Sequence, residues 1–239
     1  RTPEEAALLA EVLFGDDAAD PATAPAPPPR LLATASSDVP VRPDIAFVPP
    51  PGWHLADEEM RAAFAELRDA LGDACDVVQL PDVFEKADEW RQQVQLAELA
   101  KSFYSYERRG RDQLSQHMRD AIDRGKAIPA RDYLAALDWR QLYNNALDEI
   151  LSRFDVILTA SATGVAPLAE EGTGNPVFNG FWTFCGVPAV SLPLLATGEG
   201  LPIGVQLIGR RGDDGRLLRT ARWLVRHLVS LHHEEQVPA

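Results

Sequence analysis

The chain has 239 residues, with 23 Lys+Arg against 36 Asp+Glu, a formal net charge of −13 and a pI near 4.8. Such a chain lacks the broad basic face that nucleic acid or anionic lipid requires, and its apolar runs, such as residues 189–195, are too short to cross a bilayer. Cys75 and Cys185 are too few for a disulfide scaffold or a thiolate zinc site, so the chain reads as cytoplasmic.

The opening Thr2-Pro3-Glu4-Glu5 predicts a capped helix: Thr2 caps, Pro3 suits the first turn and Glu5 reaches back as the capping-box acid. Leu8, Leu9, Val12 and Leu13 then share a face that needs something to pack on. Residues 20–30 (DPATAPAPPPR) can form neither a helix nor a central strand and read as an extended loop. Residues 44–48 (DIAFV) and 76–80 (DVVQL) are short strand candidates. Between them lies a helix capped by Asp57 and carrying Met60, Phe64, Leu67 and Leu71, so one right-handed crossover in an α/β sheet is expected.

A long helix is expected over 85–109, with Trp90, Val94, Ala97 and Tyr104 on its buried side. Another is expected over 111–124 on the spacing of Leu114, Met118 and Ile122, and a third over 130–153 with Tyr143, Leu147, Ile150, Leu151 and Phe154 as its stripe. Residues 155–159 (DVILT) read as a strand buried on both faces; 189–192 and 203–208 are further strands. The last helix starts at Asp213 or Asp214, and its polar tail is expected to fray from Ser230.

No self-contained catalytic or cofactor motif is legible: there is no H-E-x-x-H, Walker loop, C-x-x-C or G-x-S-x-G. His54, His117, His227, His232 and His233 read as ordinary helix or surface residues, and no metal or cofactor is expected. Cys185 has apolar neighbours and reads as a packing residue. Ser161 follows a strand end, where it could touch a ligand, but no base accompanies it. Arg108, Arg109 and Arg111 read as a solvated helix end, and residues 209–214 as a strand-to-helix connector. The most unusual stretch is 173–193 (TGNPVFNGFWTFCGVPAVSLP). Its Phe178, Phe181, Trp182 and Phe184 are either plain core or an apolar pocket wall, with Asn179 and Thr183 as polar points suited to an amide or aryl substrate.

From this stretch outward the chain resembles the amidase-signature family. The resemblance rests on an ordered series: residues 154–159, Ala166-Pro167, Thr173-Gly174, 178–183, Gly186-Val187-Pro188-Ala189, residues 200–206 (GLPIGVQ), Asp213-Asp214, and Leu217-Leu218 with Ala221. Upstream, residues 125–128 with Asp132, Tyr133 and Arg140 resemble the family's helical linker, and residues 1–9 the helix that follows its catalytic core. The resemblance implies a mixed β-sheet flanked by α-helices, here as the C-terminal part of one amidase domain. Residues 1–30 would be a capped helix and Pro-rich loop, 31–153 a mostly helical region with two short strands, and 154–239 the sheet-and-helix region with the pocket stretch.

It further implies a Ser–cis-Ser–Lys triad and a serine acyl-enzyme in hydrolysis of a small amide. The only lysines are Lys86, Lys101 and Lys126, there is no Gly-Gly-Ser run, and Ser36-Ser37 lacks flanking glycines. No catalytic residue is therefore assigned here. Phe178, Asn179, Phe181, Trp182 and Thr183 are the expected substrate-binding residues, and the expected partner is an N-terminal catalytic core of the same protein. The chain alone is expected to be inactive, and insoluble or partly unfolded. Two other readings remain: part of the amidase-like subunit of a tRNA-dependent amidotransferase, in which Arg140 could grip glutamine, and a non-catalytic interaction module that retains the fold.

Overall fold

The computed structural model describes residues 2–20 and 23–235, without the side chains of 232–235. In chain order its helices and strands are α1 (Pro3–Leu13), α2 (Leu31–Ala35), β1 (Ile45–Phe47), α3 (Glu58–Leu71), β2 (Cys75–Val77), α4 (Ala87–Ser102), α5 (Tyr104–Gly110), α6 (Gln116–Lys126), α7 (Ala130–Arg153), β3 (Val156–Ala160), α8 (Val177–Cys185), β4 (Ala189–Ala196), β5 (Pro202–Ile208) and α9 (Asp214–Glu235). The strands form one mixed sheet in the order β2-β1-β3-β5-β4. β1 runs parallel to both β2 and β3; β5 is antiparallel to β3 and β4.

Alternation along β1 builds two cores. Ile45 and Phe47 face α3 and α9, where Met60, Phe64, Leu67, Leu217, Ala221 and Leu224 are buried. Ala46 and Val48 face the opposite side, where Tyr143, Leu147, Phe181 and Trp182 of α7 and α8 pack with Val94 of α4. Each large apolar side chain so buried contributes roughly 1.5–3 kcal/mol, and this is why the sheet is covered on both faces.

The elements depart from the sequence expectations where pairing or capping intervenes. β2 covers Cys75–Val77 rather than 76–80, because its partner β1 stops before Pro49, which has no N–H to donate. The helix expected over 85–109 is divided: a 3₁₀ turn spans Asp82–Lys86, and α4 ends at Phe103, whose N–H reaches Leu99 and Lys101. The restart leaves Tyr104 exposed rather than buried, while Phe103 meets the Tyr106 ring at 5.7 Å. α6 begins only at Gln116, because the Ser115 side chain caps it by accepting from Met118 N–H at 3.2 Å. β4 extends to Ala196 through an irregularity between Leu192 and Leu195 that accommodates Pro193 on an edge strand. α9 continues past Ser230 to Glu235.

The capping box of α1 is formed, with Glu5 N–H donating to Thr2 Oγ1 at 3.1 Å and Thr2 N–H to Glu5 Oε2 at 3.0 Å. Its packing face is not the leucine face. Ala7 is buried against Leu31, Ala35 and Leu218, while Leu9, Val12 and Leu13 are 65%, 76% and 83% exposed.

Candidate functional site

The parallel strands β1, β2 and β3 share one direction, and open sheets bind ligands beyond such carboxyl ends. At the end of β1 the chain turns through Val48-Pro49-Pro50-Pro51-Gly52, with Gly52 in the left-handed region at φ 84°. The turn is locked from three sides: Val48 N–H donates to Leu158 O (3.0 Å), Thr159 Oγ1 to Val48 O (2.8 Å), and Trp53 N–H to Pro50 O (3.0 Å). With residues 77–85 it encloses a cavity of about 420 Å³, walled by Trp53, Phe84 and the prolines. Arg68 of α3 reaches into the same cavity over the Phe47 ring, 5.2 Å from its centroid. Its Nε is shielded from solvent without an acceptor among the described residues.

The stretch singled out in the sequence lies directly behind this cavity. Pro176 precedes α8, Asn175 Oδ1 accepts from Val177 N–H at 3.0 Å, and Gly186 ends the helix in the left-handed region at φ 69°. Phe178, Phe181 and Trp182 are buried in the two cores at 0%, 2% and 1% exposure; Asn179 and Thr183 are exposed on the other side of the helix. The aromatic side connects to the cavity wall, with Trp53 5.9 Å from Phe178 and Phe84 5.5 Å from Phe181. The exposed side is bordered by Arg91 of α4, which lies across Gly180. A Cβ there would come within 2.8 Å of Arg91 Cδ. Asp88 holds that guanidinium through contacts of 2.8 and 2.6 Å, and Gln95 holds its other nitrogen.

Ser161 follows β3, with its N–H on Gly204 O at 2.9 Å and its hydroxyl occupying the space a Cβ at residue 204 would need. No hydrogen bond to a histidine, lysine or carboxylate engages that hydroxyl among the described residues. Gln206 donates from Nε2 to Ala160 O at 2.9 Å and closes the strand end. Burial pushes the Cys185 thiol up to about 12 and Cys75 up to about 11, so both keep their protons at neutral pH and neither is a poised nucleophile. Arg140 is exposed on α7 and makes no ion pair among the described residues. His54 sits exposed at the mouth of the cavity, His117 is exposed on α6, and His227 stacks on Trp223; the side chains of His232 and His233 lie outside the described residues. Among the described residues no group of three or more His, Cys, Asp or Glu is placed to hold a metal, and no helix is long and apolar enough to cross a membrane.

Sequence reasoning overlooked Trp53, Arg68, Phe84 and Arg91 as site residues. The signal for Trp53 was present in the three prolines and a glycine at a strand end; that for Arg68, Phe84 and Arg91 was not, because only packing brings α3, the 3₁₀ turn Asp82–Lys86 and α4 to that end of the sheet.

The family model for Amidase matches residues 1–218. The chain belongs to the amidase family. This amidase-family chain is 35% identical over 96 residues to a glutamyl-tRNA(Gln) amidotransferase subunit of Pelagibacter ubique (strain HTCC1062), a segment that is 37% of this chain and 20% of that protein. It is 36% identical over 107 residues to the corresponding protein of Anaeromyxobacter dehalogenans (strain 2CP-C), covering 41% of this chain and 22% of the relative. Among solved structures, it superposes on a 6-aminohexanoate cyclic dimer hydrolase with a TM-score of 0.75 and 19% identity, over 97% of this chain and 54% of that one. A bacterial aryl acylamidase of the amidase-signature family gives 0.72 and 18%, over 100% and 55%. A protein of a vestigial complex related to an s-triazine catabolic enzyme gives 0.76 and 22%, over 94% and 51%. The five-stranded mixed sheet with helices on both faces is thus the amidase-signature fold, and the chain spans about half the length of these solved relatives.

Proposed function

We propose that this chain is the C-terminal part of a hydrolase that cleaves a carbon–nitrogen amide bond, with the nucleophile outside residues 1–239. The observation that carries the reading is the amidase-family match over residues 1–218 in a chain whose described residues hold no poised nucleophile–base pair. In this reading a serine oxygen from the upstream half attacks the amide carbonyl, the nitrogen leaves as the protonated amine, and water releases the acyl group. Asn179 and Thr183 face the substrate. Phe178, Phe181 and Trp182 form the wall that holds them in place, joined through Trp53 and Phe84 to the cavity beyond β1.

The catalytic half would seat on the groove of about 890 Å³ between α1, β4 and α9. Two observations support this placement. Among the described residues β4 is a sheet edge, so its outer backbone groups lack a strand partner, and the leucine face of α1 beside it is uncovered. The two free thiols fit a cytoplasmic location.

The test is to assay the full-length gene product against a panel of small aryl and alkyl amides, with Asn179→Ala and Thr183→Val beside the wild type. Amine release with relative rates altered in the variants is the expected result. Amine release with unaltered relative rates removes both residues from the pocket, and absence of amide hydrolysis rejects the reading. A second reading, part of the amidase-like subunit of a tRNA-dependent amidotransferase, is favoured by the identity of 35% to a protein of that kind over 96 residues. Glutamine-dependent ammonia release in the same protein, with no hydrolysis of simple amides, would select it.

A further inference from the structure

A second cavity of about 420 Å³ shares no lining residue with the one beyond β1 and β2. It opens between the later turns of α9 and the turn that follows α2, and three arginines line it: Arg219, Arg222 and Arg226. Their spacing of three and four residues puts like charges on one helix face, an arrangement that costs stability unless counter-charges are supplied. Among the described residues only the middle one is supplied. Arg222 Nε lies 2.9 Å from Glu4 Oε1, and its Nη1 lies 3.3 Å from Asp38 Oδ1 and donates to Ser37 O at 3.1 Å. Those contacts tie α1, the turn after α2 and α9 into a fixed floor.

Arg219 and Arg226 make no ion pair or hydrogen bond among the described residues, and Arg219 Nε is shut off from solvent with no acceptor. The chain carries 36 acidic residues against 23 Lys+Arg, so carboxylates are abundant, yet among the described residues none is paired with these two guanidiniums. Beside them Trp223 also lines the cavity, its ring stacked on His227 at 4.8 Å and 13°. A flat aromatic surface next to two unpaired guanidiniums matches a small molecule that carries an oxyanion on a planar or apolar body.

We propose that this cavity is an oxyanion site in which Arg219 and Arg226 hold a phosphate or carboxylate group and Trp223 flanks the rest of the ligand. Guanidinium is suited to the task because its planar fork bonds such groups through two parallel N–H donors. Arg222 takes no part in binding; it positions the floor.

Isothermal titration of the full-length gene product with inorganic phosphate, and separately with benzoate, in 150 mM KCl (an approximate physiological ionic strength) tests the proposal. Saturable binding of at least one probe is expected, weakened about 10-fold or more in the Arg219→Gln/Arg226→Gln variant. The melting temperature without ligand should stay close to that of the wild type. Tighter phosphate binding would mark a phosphorylated ligand, and tighter benzoate binding one that carries a carboxylate. Arg226 also borders the groove between α1, β4 and α9, so a carboxylate from the upstream half is the competing occupant. In that case neither probe binds saturably, and the proposal fails. Undiminished binding in a variant that melts like the wild type overturns it equally. If the double variant melts early, Arg226→Lys, which keeps the charge and the stem, replaces it as the test and should retain part of the affinity.

Discussion

At Gly125 one hydrogen in place of a methyl decides whether two helices can meet. A Cβ there would overlap the backbone carbonyl of Leu96 and crowd the Ala100 side chain at 2.9 Å, so α6 and α4 touch through backbone rather than through flexible side chains. A carbonyl inside a helix cannot turn aside as a long side chain can. Gly125→Ala is therefore expected to destabilise the protein by about 1–3 kcal/mol, read from a urea melt, even though alanine is the better helix former. A stability equal to or above the wild type would refute the close approach. Gly180 presents the milder case, since the atoms it admits belong to the Arg91 side chain, which can swing away. Nothing in the identity of either glycine distinguishes them; the partner across the interface does.

Among the elements, α1 shows how a correct local prediction can leave packing open. Its cap and its apolar spacing were both legible, because capping-box geometry and helical periodicity are properties of a few neighbouring residues. Its burial was not, and the helix rests on Ala7 while Leu9, Val12 and Leu13 point outward. Combining Leu9→Gln, Val12→Gln and Leu13→Gln should reduce self-association of the 239-residue chain, seen as a smaller hydrodynamic radius by light scattering and less binding of an apolar dye. An unchanged radius would show that this face is not what makes the chain associate. The division of the helix expected over 85–109 belongs to the same scale. No proline or helix-interior glycine marks the break at Phe103, so composition carried no warning of it.

For the molecule as a whole, alkaline pH reads out the density of its cores. Burial raises the pKa of Cys75 to about 11, of Cys185 to about 12 and of Tyr143 to about 12, each from its ordinary value of 9.0 or 10.0. The Tyr143 hydroxyl is further engaged, donating to Val83 O at 3.1 Å. In the unfolded chain these groups ionise near their ordinary values, so above pH 9.0 the unfolded state holds fewer protons than the folded one. Stability is accordingly fully present below about pH 9 and falls as the pH rises towards 12. The urea midpoint of the full-length protein should drop between pH 8 and pH 10.5 (values chosen to bracket roughly the free thiol range), and Cys185→Ala should make that drop shallower. An identical slope in the variant would mean that Cys185 ionises alike in both states.

The sequence by itself determined the α/β class, the order of the strands and the family, because each follows from short-range periodicity, capping chemistry and an ordered run of motifs from residue 154 to 221; it did not show the short helix α2 or the division of α4 from α5. It also singled out the aromatic stretch that holds Phe178, Phe181 and Trp182, through its composition and the family resemblance. Only the tertiary structure decided that these rings are turned into the core, that Asn179 and Thr183 are exposed, and that Arg68 and Arg91 arrive from α3 and α4. Those outcomes depend on which surfaces the sheet presents to which helices. Such pairings join residues far apart along the chain, and no local pattern encodes them.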